Sequence, residues 1–584
     1  MNETTGFDPR REAWLYSFLD ENHLNHSTSP DLVASPAQVR FMVYLEPDQP
    51  YYPCSEKLFQ EIMARVKSPM LGELYAQTWT RISRLVSAKI EDRARRDFLI
   101  DLLNIKHQHE TANYNVIPSR VEKRLFKLFM VTTQIEDPMM EEKRACNRRA
   151  LEIYKSEAFR EAVNRPPEAR AVESLESMRR HLDASKLRRL FQASVQTQLW
   201  AEPGRTPVRE EWDRIFGRPV TGDGWAALEN LLLAPCREVE GHYLRRTILY
   251  LADVCGNIVL DLAVIKLLVR MGHTVVLAVK SAAFYDYVYL GDVVNCPVLR
   301  ELVEDVEVVA HQALSKNQLA SYLKNDRRFK VITDGTMEKL NLILSSVTFA
   351  RAFKEVDGVI SRGLEQRGRF FDTVFEFTQD IYSLARDNDG NLSVLFKPVS
   401  PMVRHFSSSD LEDRAQAIVN QMRAAKDQNQ TVMFYSGIVG SIPGETETAI
   451  LVMTTFVNHL REQQAQTFVL NPSEYFVQGM DADDLMYMWE IVQRSGYIDI
   501  WRFQSVPDIE KSFELLGRKV PPQWVGKDST FSTGCTKEMA IALDMQRRNP
   551  EMQIIGPDPE KFTRRGEYGI GMFHDTRLSE IYQH

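Results

Sequence analysis

The sequence lacks the features that mark secreted, membrane or nucleic-acid-binding proteins. Its 6 cysteines are scattered through 584 residues with no Cys-x-x-Cys pair, which is typical of reduced thiols and argues against a disulfide framework or a cysteine zinc site. No uninterrupted apolar run reaches the roughly 18 residues of a membrane span. The opening residues, MNETTGFDPRREAW, lack the apolar centre of a signal peptide. No basic stripe with interleaved aromatic residues is present. These absences predict a soluble, cytoplasmic protein with neither a membrane nor a nucleic acid as partner.

The remaining composition is that of an ordinary globular protein. Hydrophobic residues make up 44% of the chain and charged residues 26%, with a net charge of −8, so general disorder is excluded. Charged segments with apolar residues at helical spacing dominate the first part. We therefore predict a helical N-terminal region over 1–230, an α/β core over 231–401 and a second α/β unit over 402–584. Nothing in the sequence indicates an oligomeric state.

The α/β core begins with a strand, a turn, a helix and a second strand. The apolar run Thr247–Ala252 is followed by a polar break, by apolar residues at helical spacing over Ile258–Met271, and by the β-branched run Thr274–Val279. Such two-sided apolar strands are typical of a Rossmann-like parallel sheet with helices on both faces. Asp253 follows the first strand and Asp286 comes after the second. Because the carboxyl ends of parallel strands share one edge, these carboxylates predict an oxygen-rich pocket for a hard divalent cation.

Other polar residues and glycines follow later predicted strands in the same way. After a helix near Phe284–Leu302, these strands are Val306–Val309, Phe329–Thr333, Asp357–Ser361 and Ser393–Phe396. Asp334, Gly363 and Lys397 come at or just after strand ends, and a glycine there lets the backbone approach a ligand closely. Asp and Gly are also common turn residues. It is their recurrence at strand ends that favours a functional site.

These residues carry a resemblance to a known family. The pattern strand-Asp-x-x-Gly-x-helix, a second strand leading to Asp286, the segment DGVISRG and a closing strand with Lys397 resemble the damage-control phosphatase family. Its members are metal-dependent phosphatases of sugar phosphates and related small phosphoesters, with an α/β core behind a helical N-terminal region. The resemblance implies that Asp253 and Asp286 hold the metal and that Lys397 faces phosphate. It places Gly363 on the substrate side, with Gln366 where an Asn is often found.

Two positions depart from the family pattern. The motif Asp-Asn-x-Gly reads Asp253-Val254-Cys255-Gly256-Asn257 here, so a valine replaces the metal-binding Asn. The second aspartate has Tyr285 as its neighbour instead of Asn. Water, Asn257 or the phosphate itself would then complete the shell of Mg²⁺ or Mn²⁺, the hard cations that oxygen ligands favour.

The C-terminal third contains two loops that are rich in small residues and precede helices. The first runs from Gly437 to Gly444 and includes Gly440, and the second runs from Gly526 to Lys537. Backbone N–H groups at helix starts bind anions, so these glycines and Lys537 are candidate contacts for a phosphate-bearing ligand. Neither loop has the P-loop spacing, and ordinary turns and caps are the competing interpretation.

Three functions follow from these patterns. The first is a metal-dependent phosphatase that hydrolyses a small phosphorylated metabolite. The second is a catalytically weakened or inactive relative that binds a phosphorylated ligand in a regulatory or structural role, as Val254 suggests. The third is a separate nucleotide or sugar-phosphate chemistry at the C-terminal loops, with a purely structural core.

Overall fold

The fold is described by a computed structural model over residues 8–24, 41–43, 54–166, 174–201, 204, 206–236, 242–303, 305–442, 445–477 and 479–562. The described residues up to Met402 form one compact unit, and those from Val403 onward form a second. The division into three domains with boundaries near residues 230 and 401 stays a prediction.

An eight-stranded, mostly parallel sheet forms the centre of the first unit, in the order β2-β10-β9-β7-β3-β4-β6-β5. Neighbouring strands pair in parallel except β9 and β10, which pair antiparallel. A short antiparallel pair joins β1 to β8. The sheet confirms the predicted α/β class. The strands are β1 (Met42–Val43), β2 (Val220–Thr221), β3 (Thr247–Leu251), β4 (Thr274–Val279), β5 (Val306–Val309), β6 (Phe329–Thr333), β7 (Gly358–Arg362), β8 (Glu376–Phe377), β9 (Ile381–Arg386) and β10 (Leu392–Lys397).

The central strands are apolar on both sides because each face of the sheet carries its own core. Successive side chains of a strand point to opposite faces. In β3, Ile248 and Tyr250 pack into one hydrophobic cluster, whereas Leu249 and Leu251 pack into another. All four are buried, and burial of a large apolar side chain stabilises a fold by about 1.5–3 kcal/mol. Helices therefore cover both faces.

The helices of the first unit precede β3 or lie between β3 and β8. Those that precede β3 are Pro9–Glu21, Glu56–Met63, Pro69–Lys89, Arg93–Thr111, Pro118–Thr133, Met140–Lys155, Glu157–Asn164, Leu175–Ser194, Gln198–Ala201, Arg209–Phe216 and Trp225–Leu233. Those between β3 and β8 are Asn257–Arg270, Leu290–Asn295, Pro297–Leu302, Lys316–Lys324, Val347–Glu355 and Leu364–Phe371, with a 3₁₀ turn at Leu342–Leu344.

The structure corrects two details of the predicted core. The single helix expected near Phe284–Leu302 is two short helices, Leu290–Asn295 and Pro297–Leu302, because Pro297 cannot continue the first one. The segment before them instead forms an antiparallel bridge between Val254 and Tyr287. The sequence prediction also missed strand β9, which forms a hairpin with β10.

A four-stranded parallel sheet forms the centre of the second unit, in the order β12-β11-β13-β14. Its strands are β11 (Thr431–Ser436), β12 (Thr467–Leu470), β13 (Ile500–Phe503) and β14 (Gln553–Ile555). Its helices are Ser408–Asp427, Thr446–Gln463, Ala482–Gln493, Val506–Leu515 and Thr533–Arg548, with 3₁₀ turns at Pro472–Tyr475, Pro522–Trp524 and Ser529–Phe531. No helix in the described part of either unit is both long and apolar enough to cross a membrane.

Candidate functional site

Two aspartates meet at the carboxyl edge of the first sheet. Asp253 follows β3, and the chain beyond β4 returns so that Val254 and Tyr287 form their antiparallel bridge. The Cys255 N–H donates to the carbonyl oxygen of Asp286 at 2.8 Å, and the Val288 N–H donates to that of Asp253 at 3.2 Å. Both aspartates line one cavity of about 350 Å³. Backbone pairing therefore joins two residues that belong to different strand ends.

Gly363 and Asn257 fix the position of the Asp253 carboxylate. Gly363 follows β7 with φ of +84°, and a Cβ atom there would lie 2.8 Å from Asp253 Oδ2, so only glycine leaves room for the carboxylate. Asn257 begins the helix Asn257–Arg270, and its Nδ2 donates to Asp253 Oδ2 at 3.3 Å. Its Oδ1 accepts from Trp200 Nε1 at 3.1 Å. In this arrangement the Asn257 amide orients Asp253, and its oxygen is already used.

Burial disfavours the charged form of the Asp253 carboxyl group. Burial raises its pKa to about 7, with Asp261 and Asp286 adding to the increase, while Arg362 and the Asn257 hydrogen bond oppose it. A group whose charged form is disfavoured in this way gains from a nearby cation. Asp253 and Asp286 thus form the negative side of the cavity.

The donor set fits a hard divalent cation with two protein carboxylates. Mg²⁺ is commonly held by one or two carboxylates, with water and substrate phosphate completing its octahedron. Among the described residues no cluster of three or more His, Cys, Asp or Glu suits a metal. Asp253 and Asp286, which both line the cavity, could hold such a cation, and Val254 offers no side-chain oxygen.

Arg81 enters the site from the helix Pro69–Lys89. Its Nη2 donates to Asp286 Oδ1 and its Nη1 to Glu122 Oε1, both at 2.8 Å. Its guanidinium lies 3.9 Å from the centre of the Tyr285 ring. Nothing local in the sequence distinguishes Arg81 from the other arginines of the helical region, so its role could not be predicted. Only the fold brings it to Asp286.

Arg362 also lines the cavity. It ends β7 and is 1% exposed. Its Nη2 donates to the carbonyl and hydroxyl oxygens of Ser194 at 3.0 and 2.7 Å, and its Nε lies 3.0 Å from Asp261 Oδ1. Its Nη1 has no hydrogen-bond partner within the described chain. A buried guanidinium donor without a partner is suited to an anion. Arg386, exposed at the end of β9, lines the same cavity.

The signal for Arg362 was present in the sequence. In the segment DGVISRG, Arg362 comes directly before Gly363, which was predicted as a site residue. Arg386 had no comparable signal, because its strand was not predicted.

Lys397 lies away from this cavity. It pairs with Ile381, the first residue of β9, because β10 runs antiparallel to β9. The carboxyl end of β10, where Lys397 lies, is therefore at the opposite edge of the sheet from Gly363. Its ammonium donates to the carbonyl oxygens of Phe370 and Phe375 at 2.8 and 2.5 Å. The structure thus corrects the expected position of Lys397, whose ammonium group bonds the protein backbone and does not line the cavity.

Asp334 and Gln366 are engaged by neighbouring protein groups. Buried Asp334 accepts from Lys280 Nζ at 2.6 Å and from the Thr336 N–H at 2.8 Å. Gln366 Nε2 donates to the Ala252 carbonyl oxygen at 2.7 Å, and its Oε1 accepts from the Arg362 N–H at 3.2 Å. Neither residue lines the cavity of Asp253. Gln366 instead fixes the ends of β3 and β7 that flank it.

The glycine-rich loops of the second unit meet at one point. Cys535 Sγ donates to the Gly437 carbonyl oxygen at 3.3 Å. Gly440 and Lys537 are exposed, and Gly444 lies outside the described residues. Burial raises the pKa of the Cys535 thiol well above its ordinary value, which makes it an unreactive thiol. A ligand at Gly440, Gly444 and Lys537 stays a prediction.

A family model matches within the first unit. The damage-control phosphatase ARMT1-like domain family matches residues 54–384, which is more than half of the chain. A DUF89 family protein from Pyrococcus horikoshii has a similar solved structure, with 15% identity and a TM-score of 0.39 over 55% of this chain and 96% of that one. No curated protein sequence matches. The match over residues 54–384 shows that the chain belongs to the damage-control phosphatase ARMT1-like domain family.

Proposed function

We propose that the chain hydrolyses a small phosphomonoester with the help of Mg²⁺ or Mn²⁺ held by Asp253 and Asp286. One observation carries the proposal. Both carboxylates and the unpartnered Nη1 donor of Arg362 belong to residues that line the same cavity. A cation site beside an anion donor is what a phosphate dianion requires.

The family gives the chemical setting. Its members are generally metal-dependent and act on small phosphorylated metabolites. When bound, a divalent cation neutralises phosphoryl oxygens and makes a water molecule a better nucleophile. The choice of Mg²⁺ or Mn²⁺ rests on the oxygen-only ligands of Asp253 and Asp286.

The chain's own residues hold and orient the phosphate in this proposal. Arg362 donates to a phosphoryl oxygen from the buried wall, where a charged hydrogen bond is strongest. Arg386 adds positive charge at the exposed side and attracts the dianion. Asn257 keeps Asp253 in place through its amide, and the positive end of the helix Asn257–Arg270 faces the same region.

A second candidate function is phosphate-ligand binding with little or no turnover. One sequence difference and two contacts favour it. Val254 stands where the family pattern has a metal-binding Asn, the Asn257 oxygen accepts from Trp200, and Arg81 already neutralises Asp286. An internal guanidinium beside Asp286 competes with a metal for that carboxylate. The two candidates share the ligand class and differ in chemistry.

A metal-by-substrate screen separates the candidates. Purified protein is incubated with Mg²⁺ or Mn²⁺ and a panel of phosphomonoesters, and released phosphate is measured. We expect metal-dependent release from at least one ester. Arg386→Ala should raise KM by about tenfold through loss of a charged contact, whereas Arg144→Ala, which removes an exposed arginine outside the cavity, should not.

The other outcomes are equally informative. Calorimetric binding of inorganic phosphate without release from any ester supports the binding function. Absence of both metal binding and phosphate binding contradicts both candidates.

A further inference from the structure

A buried tryptophan from the helical region contacts the loop that follows β3. Trp200 lies in the short helix Gln198–Ala201, is 0% exposed and belongs to the hydrophobic core on one face of the sheet. Val195 and Thr197, just before this helix in the chain, line the cavity of Asp253. One short segment therefore contributes both to the cavity wall and to the buried core.

Trp200 is the first member of a hydrogen-bond chain that ends at the Asp253 carboxylate. Its Nε1 donates to Asn257 Oδ1 at 3.1 Å, and Asn257 Nδ2 donates to Asp253 Oδ2 at 3.3 Å. An indole N–H is a donor only, and an ionised carboxylate is an acceptor only. With the amide reversed, two donors would face each other at Trp200 and two acceptors at Asp253. The indole thus selects the amide orientation that donates to Asp253.

The position of Trp200 is itself fixed by neighbouring groups. A Cβ atom at Gly256 would lie 2.2 Å from Trp200 Cδ1, so the indole packs directly on the loop. The Trp200 carbonyl oxygen accepts from Arg149 Nε at 2.7 Å, and the Gly256 N–H donates to Asn147 Oδ1 at 2.6 Å. Both partners belong to the helix Met140–Lys155. The tryptophan and the loop are therefore held by the same helix.

Trp212 shows that a tryptophan in this core does not need a partner for its N–H. It belongs to the same hydrophobic cluster as Trp200 and is also 0% exposed. Its Nε1 has no hydrogen-bond partner within the described residues. The two side chains share their burial and differ in the use of the indole N–H, so their comparison separates hydrogen bonding from packing.

We propose that Trp200 is a positioning residue of the cation site, whose indole N–H fixes the Asn257 amide and, through it, the orientation of the Asp253 carboxylate. The inference rests on the proposed function, since it requires a cation at Asp253. Groups that orient a metal ligand from outside its coordination shell usually contribute 10–100-fold to metal affinity. In this role Asn257 acts as a hydrogen-bond donor to a ligand and is not a ligand itself.

The test measures Mn²⁺ affinity by calorimetry on wild type, Trp200→Phe and Trp212→Phe. Each substitution keeps an aromatic ring, removes one indole N–H and shortens one buried side chain of the same core. Thermal unfolding shows whether each variant is folded. Benzothienylalanine at position 200, in which sulfur replaces the N–H, provides the same test at nearly constant ring size if phenylalanine there prevents folding.

We expect Trp200→Phe to bind Mn²⁺ about tenfold more weakly than wild type and Trp212→Phe to bind it as wild type does. A double-mutant cycle tests the route. Asn257→Ala should also weaken binding, and Trp200→Phe added to Asn257→Ala should weaken it no further, because the effect of Trp200 passes through the missing amide.

Equal Mn²⁺ affinities for wild type and Trp200→Phe overturn the inference. Equal losses in Trp200→Phe and Trp212→Phe overturn it as well, since they indicate packing, and additive losses in the double variant exclude the route through Asn257. Phosphate release, measured on the same proteins, tests hydrolysis separately. The expected affinities without release support the role of Trp200 and contradict hydrolysis, whereas absence of Mn²⁺ binding by wild type contradicts both.

Discussion

The carboxyl edges of the two parallel sheets differ in what lies beyond the strands. In the first unit, the residues after β3 and β7 leave a cavity whose walls carry Asp253, Asp286 and Arg362. In the second unit, the residues after β11 and β13 bind one another. Ile438 N–H donates to Gln504 Oε1 at 2.9 Å, and Cys535 Sγ donates to the Gly437 carbonyl oxygen.

The polar groups of the second edge are only partly paired within the protein, because Gln493 Oε1, Gln504 Nε2 and Ser529 Oγ are buried without a hydrogen-bond partner in the described structure. The Ser529 N–H donates to the Gln504 carbonyl oxygen at 2.8 Å, and Gln493 Nε2 donates to Glu538 Oε1 at 2.9 Å. Gln493, Gln504 and Glu538 are all buried. The same strand–loop–helix order thus produces a cavity lined by charged residues in one unit and a buried polar cluster in the other. What distinguishes them is the path of the loops and not the order of the elements.

The largest expected effect comes from removing the Asp253 carboxylate, which lines the cavity of the first unit. Asp253→Ala should lower Mn²⁺ affinity by more than about 100-fold, which exceeds the usual loss on removal of an outer-shell group, because one of two carboxylate ligands is gone. The fold should remain, since Asp253 lies beyond β3 and outside the apolar clusters. Calorimetric titration and thermal unfolding measure the two quantities.

Asp101→Ala is the control for this change, because Asp101 is an exposed carboxylate on another helix. Identical Mn²⁺ titrations for wild type and Asp253→Ala would falsify the metal site at this edge.

A second change tests the opposite edge of the first sheet. Lys397→Met removes the ammonium that bonds the Phe370 and Phe375 carbonyl oxygens. We expect the free energy of unfolding to fall by about 2 kcal/mol, as for other hydrogen bonds from charged groups, with Mn²⁺ affinity unchanged. Urea unfolding and calorimetry measure these quantities. Lys127→Met, at an exposed position, should change neither. A loss of phosphate or metal binding in Lys397→Met would return this residue to the ligand site.

The third prediction concerns how the stability of the second unit changes with pH. Burial raises the pKa of Glu538 to about 7, opposed by hydrogen bonds from Ser436, Gln493 and Cys535. Between its ordinary value near 4.5 and about 7, the folded state keeps a proton that the unfolded state has lost. Stability therefore falls as pH rises through this window. Glu538→Gln does not titrate, so its stability relative to wild type should increase from pH 5 to pH 8 by about 2 kcal/mol.

Urea unfolding at the two pH values gives the comparison. Glu447→Gln, which changes an exposed carboxylate in the same unit, is the control. A difference between wild type and Glu538→Gln that is constant with pH would show that the buried carboxyl group is ionised throughout.

The smallest expected effect comes from adding a side-chain oxygen at Val254, which lines the cavity of the first unit. Val254→Asn places an amide where the family pattern has one, and we expect Mn²⁺ to bind about tenfold more tightly because a hard ion gains a ligand. Val254→Ala, which shortens the side chain without adding oxygen, should not tighten binding. Equal affinities for Val254→Asn and Val254→Ala would mean that the backbone here does not direct this side chain toward the cation.

Much of the fold followed from local patterns. β4, β5 and β6 have the predicted bounds, and β3 differs by one residue, because continuous β-branched and apolar runs specify buried strands. The strand β9 was missed although the residues Asp387-Asn388-Asp389-Gly390 after it are a strong hairpin signal. That omission reversed the assumed direction of β10 and so placed Lys397 at the wrong edge.

The candidate site was accessible from sequence only in part. The residues that were predicted and that line the cavity are Asp253, Asn257, Asp286 and Gly363. They could be predicted because strand ends and helix starts have local sequence signatures, and the carboxyl ends of parallel strands lie at one edge of the sheet. Arg81 has no such signature. It lies 205 positions from Asp286 in the chain, and its contact depends on how the helix Pro69–Lys89 packs.

The sequence by itself determined which segments form the strands of the central sheet and that two carboxylates follow β3 and β4. The reason is that hydrophobic periodicity and turn chemistry act over a few residues. The tertiary structure decided that Arg81 pairs with Asp286, and that Arg362 lines the same cavity while its buried Nη1 has no hydrogen-bond partner in the described structure. These features depend on contacts between distant segments, and no local pattern encodes the distance between them.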